Sequence, residues 1–250
     1  LKDAVVIVNS TRFVTGADGR LVFNGVAKGS YPITVSRHAY YSYSGTVEVN
    51  SNQAEIYLDK ITAVSLPFSQ SFNSNIPSNF SVYDIQITNY EQVWDFNSST
   101  NAGGVSGELR ADYRDDVSTV RMLLPPINTI DQSTINLSFR SLFDDYGVGM
   151  KILVETSTDG ESWTSTGWEK LSVNNNNYGP DLISITISSN TNSPNTYIAF
   201  TVTGDLYYFD DWYIDNIQVT QPGTPLYSAS FSVYDNDTDD VIPGAQVSVN

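Results

Sequence analysis

The chain has 250 residues, of which 40% are hydrophobic and 12% aromatic, and its formal net charge is −16. The hydrophobic content supports a folded core, and the negative charge disfavours nucleic acids and membranes as partners, because a polyanion repels phosphates and anionic lipids. Since the chain contains no cysteine, thiolate catalysis, zinc–thiolate sites and iron–sulfur clusters are excluded.

Residues 1–62 are predicted to form a small all-β unit. Ser, Thr, Asn, Tyr and Val are abundant in the chain while Lys and Glu are scarce, which favours strands joined by polar turns. Glycine-containing turns at residues 15–20 and 25–31 separate the first strands. Alternating hydrophobic positions predict strands at residues 4–9, 21–23, 31–36, 44–49 and 54–58.

Short motifs of this unit follow the order of a known family. They are Ala4-Val5-Val6-Ile7-Val8, Thr15-Gly16-Ala17-Asp18-Gly19, Phe23, Gly29-Ser30-Tyr31 and Ile33-Thr34-Val35-Ser36. In these motifs the chain resembles the carboxypeptidase-regulatory-like (transthyretin-like) β-sandwich, and the resemblance implies a binding or spacer module without catalysis. Where the family usually has Gly-Tyr, this chain has His38-Ala39-Tyr40. The family also has a strand before the Ala-x-Val strand, and here a matching strand occurs only at residues 228–234.

A larger region, residues 63–221, carries at least eight predicted strands. They lie at residues 91–96, 105–111, 117–123, 134–142, 150–156, 183–187, 197–203 and 212–219. Because polar turn residues separate these strands, the pattern is typical of a two-sheet jelly roll or sandwich. The predicted fold class is therefore all-β, with a small Ig/transthyretin-like β-sandwich followed by a larger jelly-roll β-sandwich.

This larger region is similar to the MAM-like jelly rolls called cleaved-adhesin domains. The matching pieces, in family order, are Pro67-Phe68-(x)3-Phe72, Leu124-Pro125-Pro126-Ile127, Leu137-Ser138-Phe139, residues 152–160 with Ser-Thr-Asp-Gly, Trp163, Tyr197-Ile198-Ala199-Phe200 and Trp212-Tyr213-Ile214-Asp215-Asn216-Ile217. The resemblance implies adhesion, carbohydrate or protein binding, and structural calcium.

The end of the chain matches its beginning. The last nine residues align without a gap on the first nine, and identical residues stand at Ala4/Ala245, Val6/Val247, Val8/Val249 and Asn9/Asn250. The match predicts a tandem repeat, in which residues 222–250 are a linker and the first strands of the next small β-sandwich. The alternative interpretation is two unrelated strands with a common pattern.

The resemblance to jelly rolls also implies where calcium would bind. In similar domains an acidic residue after the opening Phe shares an ion with an Asp near the last strand. The corresponding residues here are Asn73 and Asp215, with Asp210 and Asp211 beside them and Asp84 and Asp95 as further contributors. Asn73 offers only a neutral oxygen, where a hard cation prefers carboxylates. The alternative is that Asp210 and Asp211 form a solvated loop and that Asp215 caps a turn.

Aromatic residues near the last strand form a second candidate site. Alternation predicts that Tyr208 and Trp212 belong to the core, while Tyr207 and Tyr213 are exposed ligand-binding residues. An exposed ring can stack on the C–H face of a sugar. The alternative is that the whole cluster is core.

The sequence does not indicate an enzyme. Its one histidine is His38, and neither a Gly-x-Ser-x-Gly elbow nor a His-Glu-x-x-His motif occurs. We expect a non-catalytic segment of a secreted, bacterial cell-surface repeat protein that acts in adhesion or as a stalk or filament. Expected partners are neighbouring repeats, joined head-to-tail by strand donation, and a glycan or protein ligand. The alternative is an accessory carbohydrate- or protein-binding module of a secreted hydrolase or protease.

Overall fold

The computed structural model describes residues 1–24, 26–49, 55–84, 92–223, 232–238 and 240–242. This part of the chain is all-β, as predicted, with three antiparallel sheets and one short 3₁₀ helix (Leu206–Tyr208). None of its helices is long and apolar enough to cross a membrane. Of the predicted linker and second copy of the small unit, residues 222–250, the structure describes only 222–223, 232–238 and 240–242, and the predicted domain boundaries remain predictions.

The first sheet has four strands in the order β2-β1-β3-β4. In chain order they are β1 (Val5–Val8), β2 (Thr11–Val14), β3 (Gly29–Ser36) and β4 (Tyr43–Val49). Strand β2 was not predicted. It forms because Asn9 and Ser10 both adopt positive φ, 46° and 62°, which gives the two-residue hairpin turn that suits the twist of paired strands.

One face of this first sheet is apolar and carries the core of the unit. Ala4, Val6, Ile33 and Val35 are buried there. Leu21, Ile56 and Leu58 pack against them, but the segments that hold these three residues are not strands. The predicted strand at residues 21–23 and the described part of the one at 54–58 are therefore wrong. In the described residues this unit is a single sheet with two irregular segments on its face.

The larger region is a two-sheet sandwich, as predicted. Its strands are β5 (Phe68–Gln70), β6 (Ser81–Tyr83), β7 (Trp94–Asn97), β8 (Glu108–Asp112), β9 (Val117–Leu123), β10 (Ile135–Asp145), β11 (Met150–Ser157), β12 (Thr164–Leu171), β13 (Asn177–Ile187), β14 (Tyr197–Asp205) and β15 (Phe209–Thr220). One sheet has the order β13-β10-β15-β8-β7, with β5 also paired to β15. The other has the order β12-β11-β14-β9-β6.

The core of the sandwich lies between these two sheets and is largely aromatic. Its largest fully buried side chains include Trp94, Trp212, Phe139, Phe143 and Phe200. All eight predicted strands of this region occur, with shifted ends. Sequence reasoning missed β12 because its burial pattern never reaches a buried residue, so this edge strand lacks the apolar alternation that marks a half-buried one.

The small unit packs against one end of the sandwich. Ala39 is buried against Leu123, Tyr197 and Ala199, and its N–H donates to the Ser81 hydroxyl at 3.0 Å. Strands β9 and β14 run from this end, where Leu123 pairs with Ala199, to the far end, where Val117 pairs with Asp205. Seven residues of strand span about 20 Å, so loops at the far end are well separated from the small unit.

His38 lies at the contact between the small unit and the sandwich. It is 3% exposed, and its ring meets the edge of Tyr83 with centroids 4.4 Å apart. Gly160 approaches the other side, where an added Cβ would lie 3.3 Å from His38 Cδ2. Burial and then the charge of Arg37 lower the pKa of His38 from 6.5 to about 3, so the ring is neutral in the folded protein at neutral pH.

This lowered pKa predicts a loss of stability in mild acid. The unfolded chain binds a proton at His38 below pH 6.5 and the folded chain does not, so stability falls as pH drops from 6.5 toward 3. Between pH 7 and pH 5 we expect His38 to reduce the free energy of unfolding by about 2 kcal/mol. Urea unfolding of the wild type and His38→Gln at both pH values measures this contribution. Tyr83→Phe keeps the His38 imidazole and should lose as much stability between the two pH values as the wild type. Equal losses of stability in the wild type and in His38→Gln would contradict the prediction.

Candidate functional site

Two of the predicted calcium ligands lie far apart on one strand. Asp211 and Asp215 both lie on β15 and are four residues apart, which corresponds to about 13 Å along a strand. A calcium ion holds its ligands at roughly 2.3–2.6 Å, so one ion cannot bind both carboxylates. Asp211 and Asp215 therefore do not share an ion, and calcium binding at Asn73, Asp210, Asp211 or Asp215 stays a prediction.

Asp211 belongs to an ion-pair network centred on Arg110. The Arg110 guanidinium donates to both oxygens of Asp95, at 2.9 and 2.6 Å, and reaches Asp211 Oδ1 at 3.4 Å. The Tyr213 hydroxyl donates to the other Asp211 oxygen at 2.9 Å. A guanidinium already supplies the positive charge here, so these carboxylates are poor candidates for a metal. Asp210 is exposed beside them.

Asp215 is in a different situation. It is fully buried, and neither carboxylate oxygen has a hydrogen-bond partner in the described structure. Burial raises its pKa, the nearby N–H groups of Asn216 and Phe72 lower it, the charge of Glu108 raises it, and the charge of Arg140 on the neighbouring strand lowers it. Gly104, with φ +156°, lies directly against Oδ2, where a Cβ would overlap the oxygen. A buried anion without partners is costly, so this position favours a cation.

Glu108 is the second carboxylate of this site and was missed by sequence reasoning. It is fully buried and accepts hydrogen bonds from the Ser99 hydroxyl and the Ala102 N–H, both at 2.7 Å. These bonds hold the loop between β7 and β8. A single sequence contains no signal for this role, because Glu108 stands at a strand start where an acidic residue is usually solvated.

Asn73 lies close to the same loop. At Gly107, which has φ +112°, a Cβ would overlap the Phe72 carbonyl oxygen and lie 3.1 Å from the Asn73 Cα. The structure therefore brings Asn73 near the loop that contacts Asp215, although Asn73 itself is exposed. We call Asp215 and Glu108 the buried carboxylate pair. Among the described residues no three His, Cys, Asp or Glu side chains are grouped to hold a metal, so an ion here would need backbone, amide or water oxygens as well.

Of the two predicted ligand-binding tyrosines, only Tyr207 is exposed. Tyr213 is 7% exposed and hydrogen-bonds to Asp211, so the expectation that its ring faces solvent is wrong. Trp212 is buried, as expected. Alternation failed at Tyr213 because the outer face of β15 is covered by the Arg110 network.

Tyr207 has two exposed neighbours from other loops. Tyr113, Tyr146 and Tyr207, which we call the tyrosine cluster, are 48%, 46% and 45% exposed. The Tyr207 ring centroid lies 6.4 Å from that of Tyr113 and 5.7 Å from that of Tyr146. Sequence reasoning missed these two residues because they are far apart in the chain, although each follows the end of a strand.

The small unit carries a further candidate surface, which we call the open groove. It has a volume of about 1100 Å³. Its floor is the apolar face of β1 and β3, and its walls include residues 21–23 and 56–58. No backbone hydrogen bond links either wall segment to another residue that the structure describes. The groove therefore offers apolar side chains below and, at its sides, backbone that has no partner among the described residues.

Comparison with known proteins finds similarity only among solved structures. No protein-family model and no curated protein matches the sequence. The chain is similar to the K1 cleaved adhesin domain of Lys-gingipain from Porphyromonas gingivalis W83, with TM-score 0.47, 14% identity and coverage of 63% of this chain and 99% of that one. It is also similar to the K3 cleaved adhesin domain of the same protein, with TM-score 0.45, 14% identity and coverage of 61% of this chain and 97% of that one. A third similar structure is TmCBM61 in complex with β-1,4-galactotriose, with TM-score 0.40, 14% identity and coverage of 58% of this chain and 89% of that one. The all-β sandwich itself is established by the strand pairing of this chain.

Proposed function

We propose that this chain is a non-catalytic segment of a secreted, bacterial cell-surface repeat protein that acts in adhesion or as a structural stalk. Its copies join when a strand of one copy enters the open groove of the next. The observation that carries this proposal is the open groove, with its apolar floor and with wall segments that form no backbone hydrogen bond to the rest of the described chain. The one histidine is buried between the two units and neutral, which supports a role without acid–base catalysis.

The segment proposed to enter the groove is residues 228–234. Ala229, Phe231 and Val233 alternate with polar residues there, so an extended segment would direct all three toward the apolar floor. Burying the Phe and Val side chains contributes roughly 1.5–3 kcal/mol each. The backbone of the added strand would supply hydrogen bonds that the wall segments lack, as in other cases of strand addition.

The repeat in the sequence supports this choice of segment. Residues 242–250 match residues 1–9, which contain β1. Residues 228–234 therefore precede the copy of β1, where the resembling family has its additional strand. A contact between one end of a copy and the groove of another is head-to-tail and need not close, so it can extend into a stalk or filament.

Removal of residues 224–250 is expected to abolish assembly. We expect the full chain to self-associate with increasing concentration in analytical ultracentrifugation, and the truncated chain to remain a monomer. In the full chain, Val22→Asp places a charge on a groove wall at a residue that is 74% exposed, and should weaken assembly without unfolding the protein. Val173→Asp, at an exposed position on the sandwich, is the matched control. Assembly unchanged by the truncation, or a full chain that is always monomeric, would overturn strand addition.

We also propose that calcium binds at the buried carboxylate pair. The two unpartnered oxygens of Asp215 support this proposal, as does the second buried carboxylate of Glu108. Calcium would neutralise the two buried carboxylates and would link the loop between β7 and β8 to the last strand. The ion would stiffen the sandwich, consistent with a mechanical role.

Chelation is therefore expected to lower the melting temperature by several degrees, since a ligand of the folded state stabilises it. In Asp215→Asn this calcium response should disappear. The metal-free variant should be more stable than the metal-free wild type by about 1–3 kcal/mol at pH 7, because a buried uncompensated charge is removed. Differential scanning calorimetry with EDTA or calcium measures both effects. Asp211→Asn should keep the wild-type calcium response, and a melt that chelator leaves unchanged would remove calcium from the proposal.

A second candidate function is an accessory carbohydrate- or protein-binding module of a secreted hydrolase or protease. The observation that favours it is the tyrosine cluster, because exposed aromatic side chains in one patch mark binding surfaces. The two functions differ in what they require. The stalk needs the groove and residues 228–234, whereas a binding module needs a ligand at the sandwich.

A further inference from the structure

The tyrosine cluster lies at the end of the sandwich opposite the small unit. Tyr113 follows β8 directly, Tyr146 follows β10, and Tyr207 lies in the 3₁₀ helix before β15. The last two pairs of β9 and β14 at this end are Ser118–Gly204 and Val117–Asp205, and the small unit packs at their other end. The cluster is therefore open to solvent and remains open when the groove of the small unit is filled.

Backbone hydrogen bonds tie the three loops of the cluster together. The N–H groups of Tyr146 and Gly147 both donate to the Tyr208 carbonyl at 3.2 Å, and the Tyr113 N–H donates to the Asp210 carbonyl at 3.2 Å. Side-chain packing adds to this order, since a Cβ at Gly147 would overlap the ring of Tyr208. The rings are consequently held in place before any ligand binds, which reduces the entropy lost on binding.

The rings form a corner rather than a flat patch. Tyr207 is nearly perpendicular to both neighbours, with interplanar angles of 84° to Tyr113 and 88° to Tyr146. A corner of this kind presents a ring face for the C–H side of a pyranose and phenolic hydroxyls for the sugar hydroxyls. We propose that the tyrosine cluster is a binding site for an uncharged pyranose unit of a glycan.

The charges around the cluster select among glycans. Asp115 and Asp210 are exposed there. Asp144 is close to Asp210, and burial first and then the charge of Asp210 raise the pKa of Asp144. These carboxylates accept hydrogen bonds from sugar hydroxyls. They also repel uronic acids, sialic acids and sulfated sugars. A protein with a net charge of −16 adds to that repulsion, so the site favours neutral hexoses and pentoses.

The test is a titration of the full chain by isothermal calorimetry. The probes are neutral oligosaccharides of glucose, galactose, mannose and xylose, with oligogalacturonate and sialyllactose as charged counterparts. We expect at least one neutral oligosaccharide to bind and the charged ones to bind at least tenfold more weakly. Tyr207→Ala should weaken binding of the neutral oligosaccharide at least tenfold. Tyr207→Phe should lose less affinity, because it keeps the aromatic ring.

Control variants separate this site from general effects. Tyr41→Ala removes an exposed tyrosine of the small unit that lies outside the open groove and should bind the glycan like the wild type. Unchanged melting curves confirm that the Tyr207 variants fold. No binding by any neutral oligosaccharide, binding that Tyr207→Ala does not affect, or preference for the charged sugars would each overturn the proposal. Self-association through residues 224–250 is measured independently, so failure of the glycan site leaves the stalk proposal intact.

Discussion

The indole of Trp212 lies in the middle of the sandwich, stacked on Trp168 at 6.1 Å and edge-on to Phe200 at 5.8 Å. Its strand, β15, pairs with β10 and β8 along its length and with β5 near its end. Because strand side chains alternate between faces, fixing Trp212 in the core also fixes Tyr213 and Asp215 on the other face. Tyr207 precedes the same strand, so both candidate sites of the sandwich depend on this packing.

Two aspartates on the outer face of β15 have different surroundings. Around Asp211, one guanidinium and one phenol satisfy the carboxylate. At Asp215, four residues further on, both oxygens remain without partners. The first arrangement is complete within the protein, whereas at the second the proposed cation would offset part of the cost of burying the carboxylate. This difference separates a structural ion-pair network from a candidate metal site, although both are built from aspartates on one strand.

The two ends of the molecule are suited to different contacts. At one end the small unit presents an apolar groove whose walls lack backbone partners within the part of the chain that the structure describes, which suits another polypeptide strand. At the other end the tyrosine cluster presents ordered rings and carboxylates, which suit a polar ligand with an apolar face. In the stalk that we propose, a segment would join its neighbours through the groove while the tyrosine cluster stayed free to bind a ligand.

The sequence by itself determined the all-β class, the eight main strands of the sandwich, the burial of Trp212 and the exposure of Tyr207, because these follow from local alternation and turn residues. Edge strand β12 was not predicted, because it buries few side chains. Only the tertiary structure decided which distant residues meet. It brought Glu108 to Asp215 and placed Tyr113 and Tyr146 beside Tyr207. Such meetings depend on strand order and register across two sheets, which alternation within each strand does not specify.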